Sequence, residues 1–246
     1  MRAAGDVVDR YTIVSLLGQG GMGEVYEAED GVLKRKVALK LIPKGEGGEA
    51  RERMLREARL AAAFEHPNAV LVYDAGVVDE GKPSEQTFLA MELVRGRSLS
   101  TYVGDSATSM GLKLRWLADA ARALGAAHRA GLVHRDVKPD NLMVSSSGRV
   151  KVLDFGIAKK AALPVDASAP TEAPVTKGPI TEKGSFVGTP RYAAPEQLRG
   201  EEVDGRTDQY GWGVTAYELL AGEPPFQADG PVALLSRILT LSLIHI

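Results

Sequence analysis

The run His134-Arg135-Asp136-Val137-Lys138-Pro139-Asp140-Asn141 puts several groups suited to phosphate chemistry in one short stretch, and Asp154-Phe155-Gly156 follows soon after. Asp136 can accept a hydroxyl proton. Lys138 can neutralise a migrating phosphoryl group. Asn141 and Asp154 offer hard oxygens suited to Mg²⁺, with Mn²⁺ as an alternative, because such ions keep several waters and share phosphate oxygens. A single Asp in a run of this kind is ordinarily a loop cap. The whole set at this spacing is not explained that way.

A second group lies upstream. Gly18-Gln19-Gly20-Gly21-Met22-Gly23 fits G-x-G-x-x-G, a pattern that alone is weak. A dinucleotide site needs a helix directly after the glycines. Here Glu24 to Ala28 alternates as a strand, so the glycines join two antiparallel strands and let backbone N–H groups approach phosphate oxygens. Lys40 sits in the alternating segment Val37-Ala38-Leu39-Lys40. A lone strand Lys is usually only solvated. However, Glu57, in the next helical segment, falls on the apolar face between Ala61 and Phe64, and a carboxylate there needs a partner. Lys40 is the natural candidate.

Strands are expected at 11–17, 24–28, 36–42, 70–77, 87–93, 142–144 and 150–152, from alternation and β-branched content. Helices are expected at 49–64 and at 110–129, the latter with Leu117, Ala121, Leu124 and His128 on one face. A third helix is expected from Asp208 to about Leu220, with Thr207 as its cap; its apolar residues lie on nearly every side and predict burial all round. The order is a β-rich first third and a helical remainder, with the boundary near Val94 to Gly96. The 246 residues include 30 basic and 32 acidic side chains and no Cys, for a net charge of −2. That balance excludes a disulfide framework, a zinc ribbon and a thiol nucleophile, and argues against nucleic-acid binding. No run is apolar over the roughly 18 residues of a membrane span, and the first residues do not read as a signal peptide.

Taken together, these motifs resemble the protein kinase family, specifically its bacterial eukaryotic-like Ser/Thr members. Gly188-Thr189-Pro190, Ala194-Pro195-Glu196 and Asp208 complete the set in family order. The resemblance implies an α+β, two-lobed fold: a small β-rich N-lobe over about 11–94 and a larger, mostly helical C-lobe over about 97–240, lacking its last helices. It implies ATP and Mg²⁺ as cofactors, and protein substrates bearing Ser or Thr. Gly18, Gln19, Gly20, Gly21, Met22 and Gly23 would cover the ATP phosphates, with Leu17, Glu24 and Val25 also in the nucleotide site. Lys40, held by Glu57, would pair with the α- and β-phosphates. Met91 resembles the gatekeeper, and the backbone of Glu92 and Val94 would bond the adenine edge, with Val25, Ala38 and Met143 on its faces. Asp136 would orient the substrate hydroxyl, with Lys138 and Thr189 beside it. Asn141 and Asp154 would hold the metal, and Asp208 would anchor the catalytic loop backbone.

Arg135 before the catalytic Asp implies, in this family, an activation loop switched by phosphorylation. The long stretch from Asp154 to Glu196 offers Thr171, Thr176, Thr181 and Ser185, of which Thr181 and Ser185 are favoured for trans-autophosphorylation between self-associated copies. The helices that normally follow are absent from the sequence, which leaves Glu196 without its usual Arg partner. The closing Leu241-Ser242-Leu243-Ile244-His245-Ile246 carries no cap and matches an in-frame sequencing-library adapter, so 241–246 is read as a non-native tail. A cytoplasmic location is expected, with any membrane anchor in a longer parent. The competing readings are an ATP-binding but catalytically impaired fragment or pseudokinase scaffold, the latter usually lacking one of the catalytic groups, and a small-molecule kinase, which would lack the Gly-Thr-Pro and Ala-Pro-Glu elements.

Overall fold

The computed structural model describes residues 2–20, 23–43, 48–82, 85–155 and 190–241. Among these, the residues up to Arg95 form one compact unit and those from Gly96 onward form another.

The first unit is built on strands β1 (Val7–Val8), β2 (Tyr11–Gly20), β3 (Gly23–Asp30), β4 (Arg35–Pro43), β5 (Val72–Val78) and β6 (Gln86–Glu92), with helix α1 (Gly48–Ala62) between β4 and β5. The sheet is antiparallel in the order β1-β2-β3-β4-β6-β5. Side chains at alternate positions fill its core: Ile13 and Tyr11 from β2, Tyr26 and Ala28 from β3, Leu39 and Leu41 from β4, and Phe88 and Ala90 from β6. The sheet is strongly rolled. The Tyr11 hydroxyl on β2 donates to Asp74 Oδ2 on β5 at 3.0 Å, and Arg10 Nη2 lies 3.0 Å from the same oxygen. Strands near opposite edges of the sheet are thus tied together by side chains, as the accumulated strand twist allows. Helix α1 packs on β5 and buries Met54, Ala58 and Ala61, which share one helical face.

β2 runs past the expected end at Leu17 to Gly20. A register shift between Leu16 and Gly18 marks a bulge at Leu17, and pairing then resumes through Gly18↔Val25, Gln19↔Glu24 and Gly20↔Gly23. The glycines are therefore part of the ladder up to the hairpin tip.

The second unit has a three-stranded sheet of β7 (Gly96–Ser98), β8 (Leu142–Ser145) and β9 (Val150–Val152). Its helices are α2 (Met110–Arg129), α3 (Pro195–Arg199), α4 (Gly205–Ala221) and α5 (Pro231–Thr240). Helix α2 has the expected bounds and is capped by Ser109, whose side chain accepts from the Leu112 N–H at 3.3 Å. Its buried face is Trp116, Leu117, Ala120, Ala123, Leu124 and Ala127. Ala121, expected on that face, is exposed, because the stripe drifts around the helix at 3.6 residues per turn.

Helix α4 departs from the sequence reading in two ways. Asp204, not Thr207, is its cap: the carboxylate accepts from the Arg206 N–H at 2.8 Å. Thr207 lies inside the helix and is buried. Burial is also one-sided, running through Thr207, Asp208, Gly211, Val214, Thr215, Glu218 and Leu219, while Tyr217 is exposed. The buried face thus carries polar groups, and the large apolar residues at Tyr210, Trp212 and Tyr217 flank it. Trp212 Nε1 donates to the Leu117 carbonyl at 3.0 Å and joins α4 to α2. Helix α5 buries Leu234 and Ile238 in a cluster with Val214 and Phe226.

Candidate active site

The expected site residues fall on both units. In the first unit they are placed by strand register. Val25 stands opposite Lys40 across β3 and β4, and Ala38 stands opposite Met91 across β4 and β6. Lys40 and Ala38 are two residues apart on β4, so these four side chains share one face of the sheet. Lys40 is only 7% exposed. Glu57 is half-buried on α1, beside the buried Ala58. The Glu92 N–H is taken by the Leu71 carbonyl at 2.9 Å, which leaves recognition of a ligand edge to the other backbone groups of 92–94.

The glycines of the hairpin are not equivalent. Gly23 has φ +120, and a Cβ there would lie 2.0 Å from the Leu41 carbonyl oxygen, so glycine is required by packing. A Cβ at Gly18 or Gly20 would meet nothing within 4 Å. The protein's own packing does not demand glycine at those two positions. Gly21 and Met22 lie outside the described residues.

In the second unit the loop between α2 and β8 is hung from Asp208. This carboxylate is 1% exposed. Its Oδ2 accepts from the His134 N–H at 2.7 Å and its Oδ1 from the Arg135 N–H at 2.6 Å. His128 Nε2, at the end of α2, lies 2.7 Å from Oδ2. A close approach makes this possible: a Cβ at Gly211 would sit 2.8 Å from the Val137 carbonyl oxygen. The expectation that Asp208 anchors the loop backbone is met by these bonds.

The loop so held brings three of the expected groups together. Lys138 Nζ is 3.0 Å from Asp136 Oδ2. The Asn141 amide nitrogen donates to the Asp136 carbonyl at 2.7 Å and to Oδ2 at 3.1 Å. With its nitrogen so engaged, Asn141 keeps Oδ1 as its oxygen donor. The fully buried His134 contacts the residues on either side of Asp154. Its Nε2 is 2.6 Å from the Leu153 carbonyl and must donate to it, while Nδ1 accepts from the Asp136 N–H at 3.2 Å. Those two partners require the neutral tautomer protonated on Nε2. The ring also packs on Phe155, with centroids 5.3 Å apart. Arg135 and Asp154 both have left-handed backbone, at φ +63 and +51, a conformation that non-glycine residues seldom adopt and that concentrates at functional sites. Met143 is half-buried on β8. Among the described residues no cluster of three or more His, Cys, Asp or Glu could hold a metal by itself. A hard cation here would share its oxygens with phosphate and water, which suits the Asn141 and Asp154 donor pair.

Sequence reasoning left Glu196 without its partner; the structure supplies one, since Thr207 Oγ1 donates to Glu196 Oε1 at 2.7 Å. It also missed Gln197, whose amide donates to the Arg135 carbonyl at 2.9 Å, and Glu218, which accepts from the Tyr192 hydroxyl at 2.6 Å. Burial and the Glu218 carboxylate together raise the Tyr192 phenol above its ordinary range. Burial first, then the charge of Glu196, pushes Tyr210 up to about 12. No local pattern signals these contacts, which span many residues. Gly156, Thr171, Thr176, Thr181, Ser185, Gly188, Thr189 and 242–246 lie outside the described residues.

The fold agrees with the family resemblance. The protein kinase domain family matches residues 11–241, and the chain belongs to that family. Among curated relatives, the serine/threonine-protein kinase PknB of Mycolicibacterium smegmatis is 41% identical over 231 residues, covering 92% of this chain and 34% of the relative. PknB of Mycobacterium leprae is 40% identical over 231 residues, with the same coverage. The chain thus spans about a third of the length of these relatives. A crystal structure of the Mycobacterium tuberculosis PknI kinase domain is similar with a TM-score of 0.69 and 33% identity, covering 94% of this chain and 81% of that one. No helix among the described residues is long and apolar enough to cross a membrane.

Proposed function

We propose that this chain is the catalytic domain of a Ser/Thr protein kinase that transfers the γ-phosphoryl group of ATP to a Ser or Thr hydroxyl of a protein. The observation that carries this reading is the Asp136 carboxylate, bonded to Lys138 and Asn141 on a loop whose backbone hangs from buried Asp208.

On this reading Asp136 accepts the hydrogen bond of the incoming alcohol and takes its proton as the oxygen attacks phosphorus. Lys138, held at that carboxylate, stabilises the negative charge on the transferring group. Lys40, buried on β4, orients the nucleotide phosphates with Glu57 as its partner. The hairpin backbone around Gly18 and Gly20 donates N–H groups to phosphate oxygens, and the open space at both positions supports that role. Val25, Ala38 and Met91 pack on the adenine, and the backbone of Glu92 and Val94 meets its edge. Asn141 Oδ1 and the Asp154 carboxylate would hold Mg²⁺. When bound, that ion neutralises charge on the phosphate oxygens. Little covalent work falls to the protein, so positioning and charge stabilisation dominate. Activation by phosphorylation at Thr181 or Ser185, self-association for that step, and a cytoplasmic site of action belong to the same proposal.

The test is phosphotransfer from radiolabelled ATP to a generic protein substrate. The Asp136→Asn variant is expected to lose at least about a hundredfold, in line with removal of a general base, while still binding nucleotide. Transfer at an undiminished rate in that variant would overturn the assignment. Nucleotide binding without transfer in the unaltered chain would favour a scaffold role.

A further inference from the structure

A hydrogen-bonded relay ties the beginning of the chain to the glycine hairpin. Residues 2–8 form a strap across the first unit. Its turn is closed by the Asp6 carboxylate, which accepts from the Ala3 N–H at 2.8 Å. It is held to β2 by Gly5 N–H to the Ile13 carbonyl at 2.9 Å and Ile13 N–H to the Asp6 carbonyl at 2.8 Å. At its far end the Arg2 guanidinium lies 3.4 Å from both Asp79 Oδ2 and Gln86 Oε1, beyond β5 and at the start of β6.

Between these anchorages the Arg2 N–H donates to the Tyr26 hydroxyl at 2.8 Å. That hydroxyl in turn donates to Glu24 Oε2 at 2.6 Å. The other oxygen, Glu24 Oε1, is 3.5 Å from the Gln19 side-chain amide, and Gln19 and Glu24 are paired across the hairpin next to the Gly20↔Gly23 pair. Tyr26 is fully buried, so its ring is fixed and its hydroxyl has a set direction. Burial and the bond to Glu24 raise its phenol above the ordinary range, which keeps it a donor.

From this chain of contacts we infer that Tyr26 is a positioning residue for the glycine hairpin, and that the strap 2–8 sets its hydroxyl. Glycines lose more freedom than other residues when a loop is fixed. A strand pair already braced at Glu24 has less to lose when phosphate fixes the backbone at Gly18 and Gly20, and preorganisation of this kind appears as affinity. Tyr26 touches neither the nucleotide nor the reacting atoms on this view; it acts through Glu24. The inference rests on the proposed nucleotide site.

The experiment is a titration of the full chain with a fluorescent Mg-ATP analogue, together with KM for ATP and kcat where transfer is measurable. Tyr26→Phe keeps the buried ring and removes only the hydroxyl. It is expected to weaken nucleotide binding roughly three- to tenfold, with kcat at saturating ATP within about twofold. Deleting residues 2–4 is expected to give a similar loss and to add little to Tyr26→Phe, because both break the same relay. Unchanged nucleotide affinity in Tyr26→Phe, or losses that simply add, would overturn the inference. If Tyr26→Phe does not fold, the deletion variant decides alone by the same affinity criterion. If the unaltered chain binds no nucleotide, the proposed function itself falls and takes this inference with it.

Discussion

The two units hold their chemical groups in different ways. In the first, Val25, Ala38, Lys40 and Met91 share a face because strand register leaves them no other place. In the second, Asp136, Lys138 and Asn141 sit on a loop whose backbone hangs chiefly from one buried carboxylate on α4, with Gln197 and the His134 ring as lesser holds. The first arrangement is spread over many ladder bonds and should degrade gradually. The second leans mostly on Asp208 and should fail sharply when that residue is lost.

The largest expected effect follows from that contrast. Asp208→Ala leaves the N–H groups of His134 and Arg135 buried without their acceptor, at a cost of about 3 kcal/mol or more. Urea unfolding should show a lower midpoint, and phosphotransfer should vanish. A variant as stable and active as the unaltered chain would show that the loop is held by something else.

A smaller effect separates two glycines of the sheet unit. Gly23→Ala forces a Cβ onto the Leu41 carbonyl and should cost about 2 kcal/mol. Gly20→Ala should stay within about 0.5 kcal/mol and weaken nucleotide binding instead. Equal stability losses at the two positions would erase the distinction between a glycine needed for packing and one needed for access.

The smallest effect is a pH dependence. Asp30 accepts from the Leu33 N–H at 3.0 Å and the Val32 N–H at 2.9 Å. These bonds, the Leu33 bond foremost, with Arg10 nearby, hold its carboxyl below the usual range. The charged form therefore stabilises the fold. Its contribution is complete above the unfolded carboxyl pKa of about 4 and is lost as pH falls through the lower folded value. Asp30→Asn should thus lower Tm at pH 7, and the gap from the unaltered chain should narrow toward pH 3. A constant gap would assign the loss to shape rather than to charge.

The same contrast explains what was readable in advance. Strands β3, β4, β6 and β9 and helix α2 carry a period, and their places were legible to within a residue or two. The motif residues around Asp136 were legible as types at a spacing. Their support was not. The Asp208–His134 and Gln197–Arg135 bonds join positions far apart in the chain, and no window of sequence contains both ends. The cap of α4 was misplaced because Thr207 and Asp204 are both good caps, and only the course of the chain decides between them. The Glu196–Thr207 bond is hidden for the same reason: as a cap, Thr207 would spend its hydroxyl on the helix start. The strap at 2–8 was invisible because its value lies in a tyrosine more than twenty residues away.

Asp208 grips the loop by its amide hydrogens, not by its side chains. The course of the backbone at His134 and Arg135 is therefore set by Asp208, while the Asp136 side chain is tied only to Lys138 and Asn141 among the bonds described above. Exchanging Asp136 alters chemistry while the scaffold stands, so a silenced copy of the domain keeps the outline of a working one. On the proposed function, such a copy would hold a protein substrate without converting it, which makes it a practical bait.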